Sequence, residues 1–160
     1  MKRALSIVGS ILLLAMTAAA QGALPNFSGT WNLDLAKSEF GPIPAPDSVV
    51  MVIDHKEPAL KVGVTQKSQM GDASNESLYT TDGKENLNKM RGPAGEQESK
   101  STTRWNGKTL ETKRTIEAQG MSIGIDDAWE LSADGKVLTV MRQLKTPQGD
   151  FSTKTVFNKQ

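Results

Sequence analysis

From residue 99 onward, apolar and polar side chains alternate in short runs that end at glycine- or proline-containing turns, and this pattern restricts the chain to an antiparallel sheet. The runs are Ser99 to Trp105, Thr109 to Ala118, Met121 to Leu131, Val137 to Leu144 and Phe151 to Phe157. Between them lie Asn106-Gly107, Gln119-Gly120, Asp134-Gly135 and Pro147-Gln148-Gly149. Connections this short join antiparallel neighbours, so the half from residue 99 reads as a meander of consecutive hairpins.

The same reading extends upstream. Trp31, Leu33 and Leu35 alternate with Asn32 and Asp34 in a first strand. The proline run Phe40-Gly-Pro-Ile-Pro-Ala-Pro46 then imposes an extended connection with no room for a lid helix, because each proline biases its predecessor away from helix. Val49 to Ile53 is continuously apolar and pairs as a hairpin with the alternating Leu60, Val62 and Val64 across Lys56-Glu57-Pro58. Ser77 to Thr81 and Leu87 to Met90 flank the turn dipeptide Asp82-Gly83, and Arg91 to Glu98, with three Gly or Pro residues, reads as a long exposed loop. The Asp-Gly-Lys or Asn-Gly-Lys triplets at 82, 106 and 134 are hairpin turns reused, not traces of an ancestral repeat.

Roughly eight to ten strands follow from this count. So many strands leave edges that must be paired, and the economical solution is closure into an up-and-down antiparallel β-barrel, with a two-sheet sandwich as the alternative. The chain is therefore expected to be all-β.

The first residues address the compartment. Lys2 and Arg3 precede an apolar run, Ala4 to Met16, that is too short to span a bilayer, and Ala18-x-Ala20 suits a signal peptidase. Residues 1–20 are accordingly expected to be a cleaved signal peptide and residues 21–160 a single domain, periplasmic or secreted. Without Lys2 and Arg3 the remaining chain is about one charge negative, with both signs interspersed and no basic block, so no nucleic-acid footprint exists. There is no cysteine, which excludes a lipoprotein anchor, thiol catalysis and thiolate metal sites.

The run Asn26-Phe27-Ser28-Gly29-Thr30-Trp31-Asn32-Leu33, followed by Lys37-Ser38-Glu39-Phe40, resembles the Gly-x-Trp opening strand of the calycins, the lipocalins and fatty-acid-binding proteins. With Trp129-x-Leu-Ser-x-Asp-Gly-Lys136, most of the chain is similar to exported lipocalin-like proteins of soil bacteria, which carry no assigned activity. The resemblance implies that Trp31 packs across the closed end of a barrel and that Gly29 lets the chain enter there closely. Two departures limit it. The proline run replaces the two-helix lid of fatty-acid-binding proteins, and Lys154-Thr155-Val156-Phe157 lacks their C-terminal Arg-x-Tyr.

Few residues suggest chemistry. His55, the only histidine, has Asp54 beside it, but adjacent strand residues face opposite ways and no Gly-x-Ser-x-Gly elbow exists, so it reads as a solvated side chain at a turn edge. Asp126-Asp127 is split by the same alternation and reads as a strand edge or bulge, not as a cation site. Arg114 differs, because it shares the face of Leu110, Thr112 and Ile116 while Glu111, Lys113 and Glu117 take the other. Arg142 follows Leu138, Val140 and Leu144 in the same way. An inward arginine needs an acid or several acceptors, supplied by a ligand, an internal carboxylate, water or a position at the rim. Trp105, Trp129, Tyr79 and Met121 either fill the interior or line a cavity.

The expected function is that of an exported barrel binding a small, partly apolar molecule or a cell-envelope component, with Arg114, Arg142, Trp105, Trp129 and Tyr79 as the binding residues. The alternative is a filled-core interaction module of the envelope that uses loop 91–98. An enzyme ranks third; no cofactor, no metal, no nucleic acid and no membrane insertion after cleavage are expected, and the chain should be a monomer with a small apolar or acidic ligand. Intact-mass analysis of the mature product is expected to give a chain beginning at Gln21 in a soluble fraction; Met1 retained in membranes would overturn the signal-peptide reading.

Overall fold

Period-two burial is the plainest property of the strands: along residues 137–145, for instance, Leu138 and Val140 are buried while Met141, Gln143 and Lys145 are exposed. The computed structural model describes residues 23–69, 71–92, 95–118 and 120–160; the expected leader lies outside them. Ten strands are described: β1 Gly29–Leu33, β2 Ser48–Lys56, β3 Ala59–Lys67, β4 Ala73–Thr80, β5 Asp82–Gly92, β6 Gly95–Asn106, β7 Thr109–Ala118, β8 Met121–Leu131, β9 Val137–Thr146 and β10 Gly149–Lys159. A single 3₁₀ turn, Leu35–Lys37, follows β1, and the proline run after it is non-helical.

All ten strands form one antiparallel sheet in the order β4-β3-β2-β1-β10-β9-β8-β7-β6-β5. This is one continuous meander, not a two-sheet sandwich, and it curls until its edges, β4 and β5, face each other. These two do not form a backbone ladder, contrary to the hairpin that Asp82-Gly83 suggests. Thr81 forms the turn between them, and β5 is irregular between Asp82 and Glu85 where it pairs with β6. Side-chain amides close the gap instead. Asn88 accepts from the Leu78 N–H (2.7 Å) and donates to the Leu78 carbonyl (2.9 Å), which reproduces the two bonds a strand neighbour would make, and Asn86 accepts from the Thr80 N–H at 2.7 Å.

Residues 91–98 are not the long loop their composition suggests. β5 continues to Gly92 and β6 begins at Gly95, with Lys89 opposite Glu98 and Met90 opposite Gln97.

One end of the barrel is plugged by rings. Phe27 and Trp31 are fully buried, and the Trp31 indole donates to the Phe27 carbonyl at 2.9 Å. Gly29 has φ +141, and a Cβ there would meet the Lys159 side chain at 2.6 Å, the same side chain whose ammonium lies 5.1 Å from the Trp31 ring centre. Glycine thus lets the strand pass beneath a lysine that caps the tryptophan.

His55 is part of this plug and is only 2% exposed, which corrects the expectation of a solvated turn residue. Its ring stacks on Phe27 and Trp105, at 5.8 and 6.1 Å between centroids. Nδ1 accepts from the Phe27 N–H (3.3 Å), so the hydrogen resides on Nε2, which donates to Glu57 (2.9 Å). Glu57 also accepts from the Trp105 indole (2.8 Å) and the Thr81 hydroxyl. A turn lies next to His55 in sequence, but the stretch before β1, with Phe27, packs over the ring and buries it. Asp54 is exposed on the opposite face, as alternation requires.

Partial burial pushes the Glu57 carboxyl up, but the hydrogen bonds from Thr81, Trp105 and His55 outweigh this and hold it below the ordinary value of 4.5. A carboxyl lowered on folding adds stability that is present above its unfolded pKa and is lost as pH falls through the folded one. Acidification below about pH 4.5 should therefore lower the unfolding midpoint and alter Trp105 fluorescence; Glu57→Gln, which keeps the shape but does not titrate, should flatten that part of the profile. Gly107 supplies a second prediction. Asn106 pairs with Thr109 across a two-residue loop in which Gly107 has φ +63. Gly107→Val should destabilise the fold by about 1 kcal/mol or more, and an unchanged denaturation midpoint would show that the loop adapts.

Candidate functional site

The strand alternation that fills the closed end leaves a cavity of about 340 Å³ in the rest of the interior. Its walls differ in character. Leu33, Val49, Met51, Val62, Val64 and Phe157, from β1, β2, β3 and β10, make one side apolar. The proline run also lines the cavity through Phe40, Ile43, Pro44 and Pro46, so the segment that excludes a helical lid forms part of the wall itself. Opposite them, β7 to β10 present a polar row. Cross-strand register places Thr112, Asp127, Arg142 and Thr153 side by side on the inner face, and Arg114 stands one inward position farther along β7.

Asp127 is the centre of that row. Its carboxylate is 5% exposed and receives two parallel bonds from Arg142, Nε to Oδ1 at 2.6 Å and the terminal nitrogen to Oδ2 at 2.9 Å. Desolvation works against the Arg142 charge, although the side chain keeps 37% exposure, and the Asp127 carboxylate more than offsets it, so the guanidinium is held above its ordinary range. Arg114 approaches the same Oδ2 only to 3.7 Å, with its side chain 11% exposed. Its Nε is buried and has no hydrogen-bond partner among the described residues. Two guanidiniums thus share one carboxylate, and these three are the only charged residues among those described along the cavity.

The positions of the expected site residues follow. Arg114, Arg142, Trp129 and Tyr79 all line the cavity. Trp129 presents a buried indole N–H without a partner among the described residues. Trp105 does not line it; it occupies the last inward position of β6, where it stacks on Phe27 and binds Glu57 at the plugged end. Met121 is 40% exposed at the start of β8 and belongs to neither core nor cavity. Asp127 was the residue missed. It was read as an edge or bulge because an acidic pair looks like surface, yet β8 is regular there, with Asp126 outside on Lys145 at 2.7 Å and Asp127 inside. The alternation of Ile125, Asp127 and Trp129, which points Arg114 inward on β7, carries the same signal.

No family model matches this chain, and no curated protein matches it. Solved structures with its fold include an abundant heat soluble (SAHS) protein of Ramazzottius varieornatus, with a TM-score of 0.61 at 13% identity over 83% of this chain and 94% of that one. Another is zebrafish ileal bile-acid-binding protein complexed with cholic acid, with a TM-score of 0.51 at 19% identity over 84% and 98% of the two chains. At these identities the likeness is one of fold, and the chain has the architecture of a calycin-like barrel.

Proposed function

We propose that this chain is an exported barrel that holds one small, partly apolar molecule in its interior, without transforming it, and meets the polar or acidic end of that molecule at Arg114. The observation that carries this reading is the buried, unpartnered Nε of Arg114 beside an otherwise largely apolar cavity. A buried donor without an acceptor is unfavourable, and a charged one more so, which makes an acceptor from a bound molecule the natural complement. The volume of about 340 Å³ lies at the small end of the range for ligand pockets. The zebrafish protein of the same fold is described in complex with an acid, which agrees with this reading without determining it. Export rests on Lys2, Arg3, the apolar run and Ala18-x-Ala20.

A second reading has a specific observation in its favour. Leu78 and Leu87, each 58% exposed, lie on strands that flank the β4–β5 seam. Such residues suit contact with another envelope protein. The two readings separate by titration with an amphiphilic acid such as decanoate, which the interior-binding reading requires to bind. Arg114→Met should then weaken its binding more than tenfold, about 1.4 kcal/mol, while shifting the unfolding midpoint less, because methionine fills the space without a charge to satisfy. Binding unaffected by the substitution would move the site away from Arg114.

A further inference from the structure

We infer that Asp127 sets the charge class of the ligand, so that the interior selects acids with one negative charge and rejects those with two. This rests on the interior-binding reading above and adds what that reading leaves open. The charges along this partly enclosed interior can be counted, and its most buried charged groups are Asp127 and Arg114. Arg114 and Arg142 contribute two positive charges and Asp127 one negative, and no other charged side chain is found among the described residues that line the cavity. One excess positive charge remains. A monoanion completes the site to neutrality, whereas a dianion leaves it negative in surroundings that screen charge poorly.

Geometry assigns the excess to Arg114. Arg142 spends its Nε and one terminal nitrogen on Asp127, at 2.6 and 2.9 Å, and this two-point grip fixes the carboxylate in place. Asp127 therefore has little freedom to rotate away from an incoming anion. Arg114 is 3.7 Å from Oδ2 and retains an unpartnered buried Nε. An anion that docks on Arg114 consequently lies close to the Asp127 carboxylate. One negative charge there is compensated by the guanidinium between them; a second faces the carboxylate directly. Asp127 is thus a specificity-determining residue as well as the anchor of the row.

Three probes with the same chain distinguish the possibilities: decanoate, decyl phosphate and decanol, measured calorimetrically at about pH 8, well above the second phosphate pKa near 6. The wild-type chain should bind decanoate at least tenfold more tightly than decyl phosphate. Asp127→Asn raises the excess to two charges and should shift the phosphate-to-carboxylate preference at least tenfold towards phosphate. The double variant Asp127→Asn/Arg142→Met returns the excess to one, on Arg114 alone, and should restore the wild-type order. Equal wild-type affinity for decanoate and decyl phosphate overturns the inference even if Asp127→Asn does not fold, and so does an unchanged preference in a folded Asp127→Asn. Those results leave interior binding intact. A wild-type chain that binds none of the three overturns both interior binding and this inference, and one that binds decanol as tightly as decanoate removes the acid-binding role of Arg114.

Discussion

The carboxylate of Glu57 is the point on which the closed end depends. It lies in the two-residue turn between β2 and β3 and accepts hydrogen bonds from His55 on β2, Thr81 at the corner between β4 and β5, and Trp105 on β6. His55 in turn accepts from the backbone of Phe27, which brings the segment before β1 across the end of the barrel. Parts of the chain that are far apart in sequence are thereby tied to one side chain. Sheet pairing supplies the wall, but pairing alone leaves a tube open at both ends. The ring stack of Phe27, His55 and Trp105 blocks one end, so the interior has a floor against which a cavity is defined.

Closure around the circumference has a similar local solution. β4 and β5 meet as edges, and free edges expose backbone donors and acceptors that invite association. Asn86 and Asn88 occupy these groups with side-chain amides, at Thr80 and Leu78. An amide side chain carries the donor and acceptor of a peptide unit, so asparagine imitates a strand where backbone pairing fails. Among the described residues the seam is thus joined through side-chain amides where every other neighbouring pair of strands has a backbone ladder.

Much of this was legible in the residues. Alternation located the strands from β6 onward, and the inward faces of β7 and β9 followed from Leu110, Thr112, Ile116 and Leu138, Val140, Leu144. The Gly-x-Trp opening gave the position of Trp31 at the plugged end. What escaped were features that depend on contacts between distant segments. His55 looked solvated because a turn lies next to it, and only the return of Phe27 buries it. Residues 91–98 looked like a loop because Gly92, Pro93 and Gly95 break the pattern, although β5 runs on to Gly92 and β6 starts at Gly95. Asp127 escaped for a different reason: alternation separated it from Asp126, but its acidic neighbour suggested a strand edge or bulge, and its place on the inward face with Ile125 and Trp129 was not drawn from that split.

The interior itself follows from a conflict between stability and binding. A barrel of this size is stabilised most simply by filling its core with apolar side chains, and replacing a buried ion pair with such residues is often neutral or favourable. Here the β1–β3 side follows that course with valine, methionine and leucine, while β7 to β9 retain two arginines and one aspartate. Asp127 with Arg142 alone would be a balanced pair. Arg114 breaks the balance and leaves a buried donor unmatched, a feature that protein stability does not explain. In the proposed binding role its position beside a largely apolar cavity gives the imbalance a use: an acceptor from a bound molecule would match the donor that the described residues leave open.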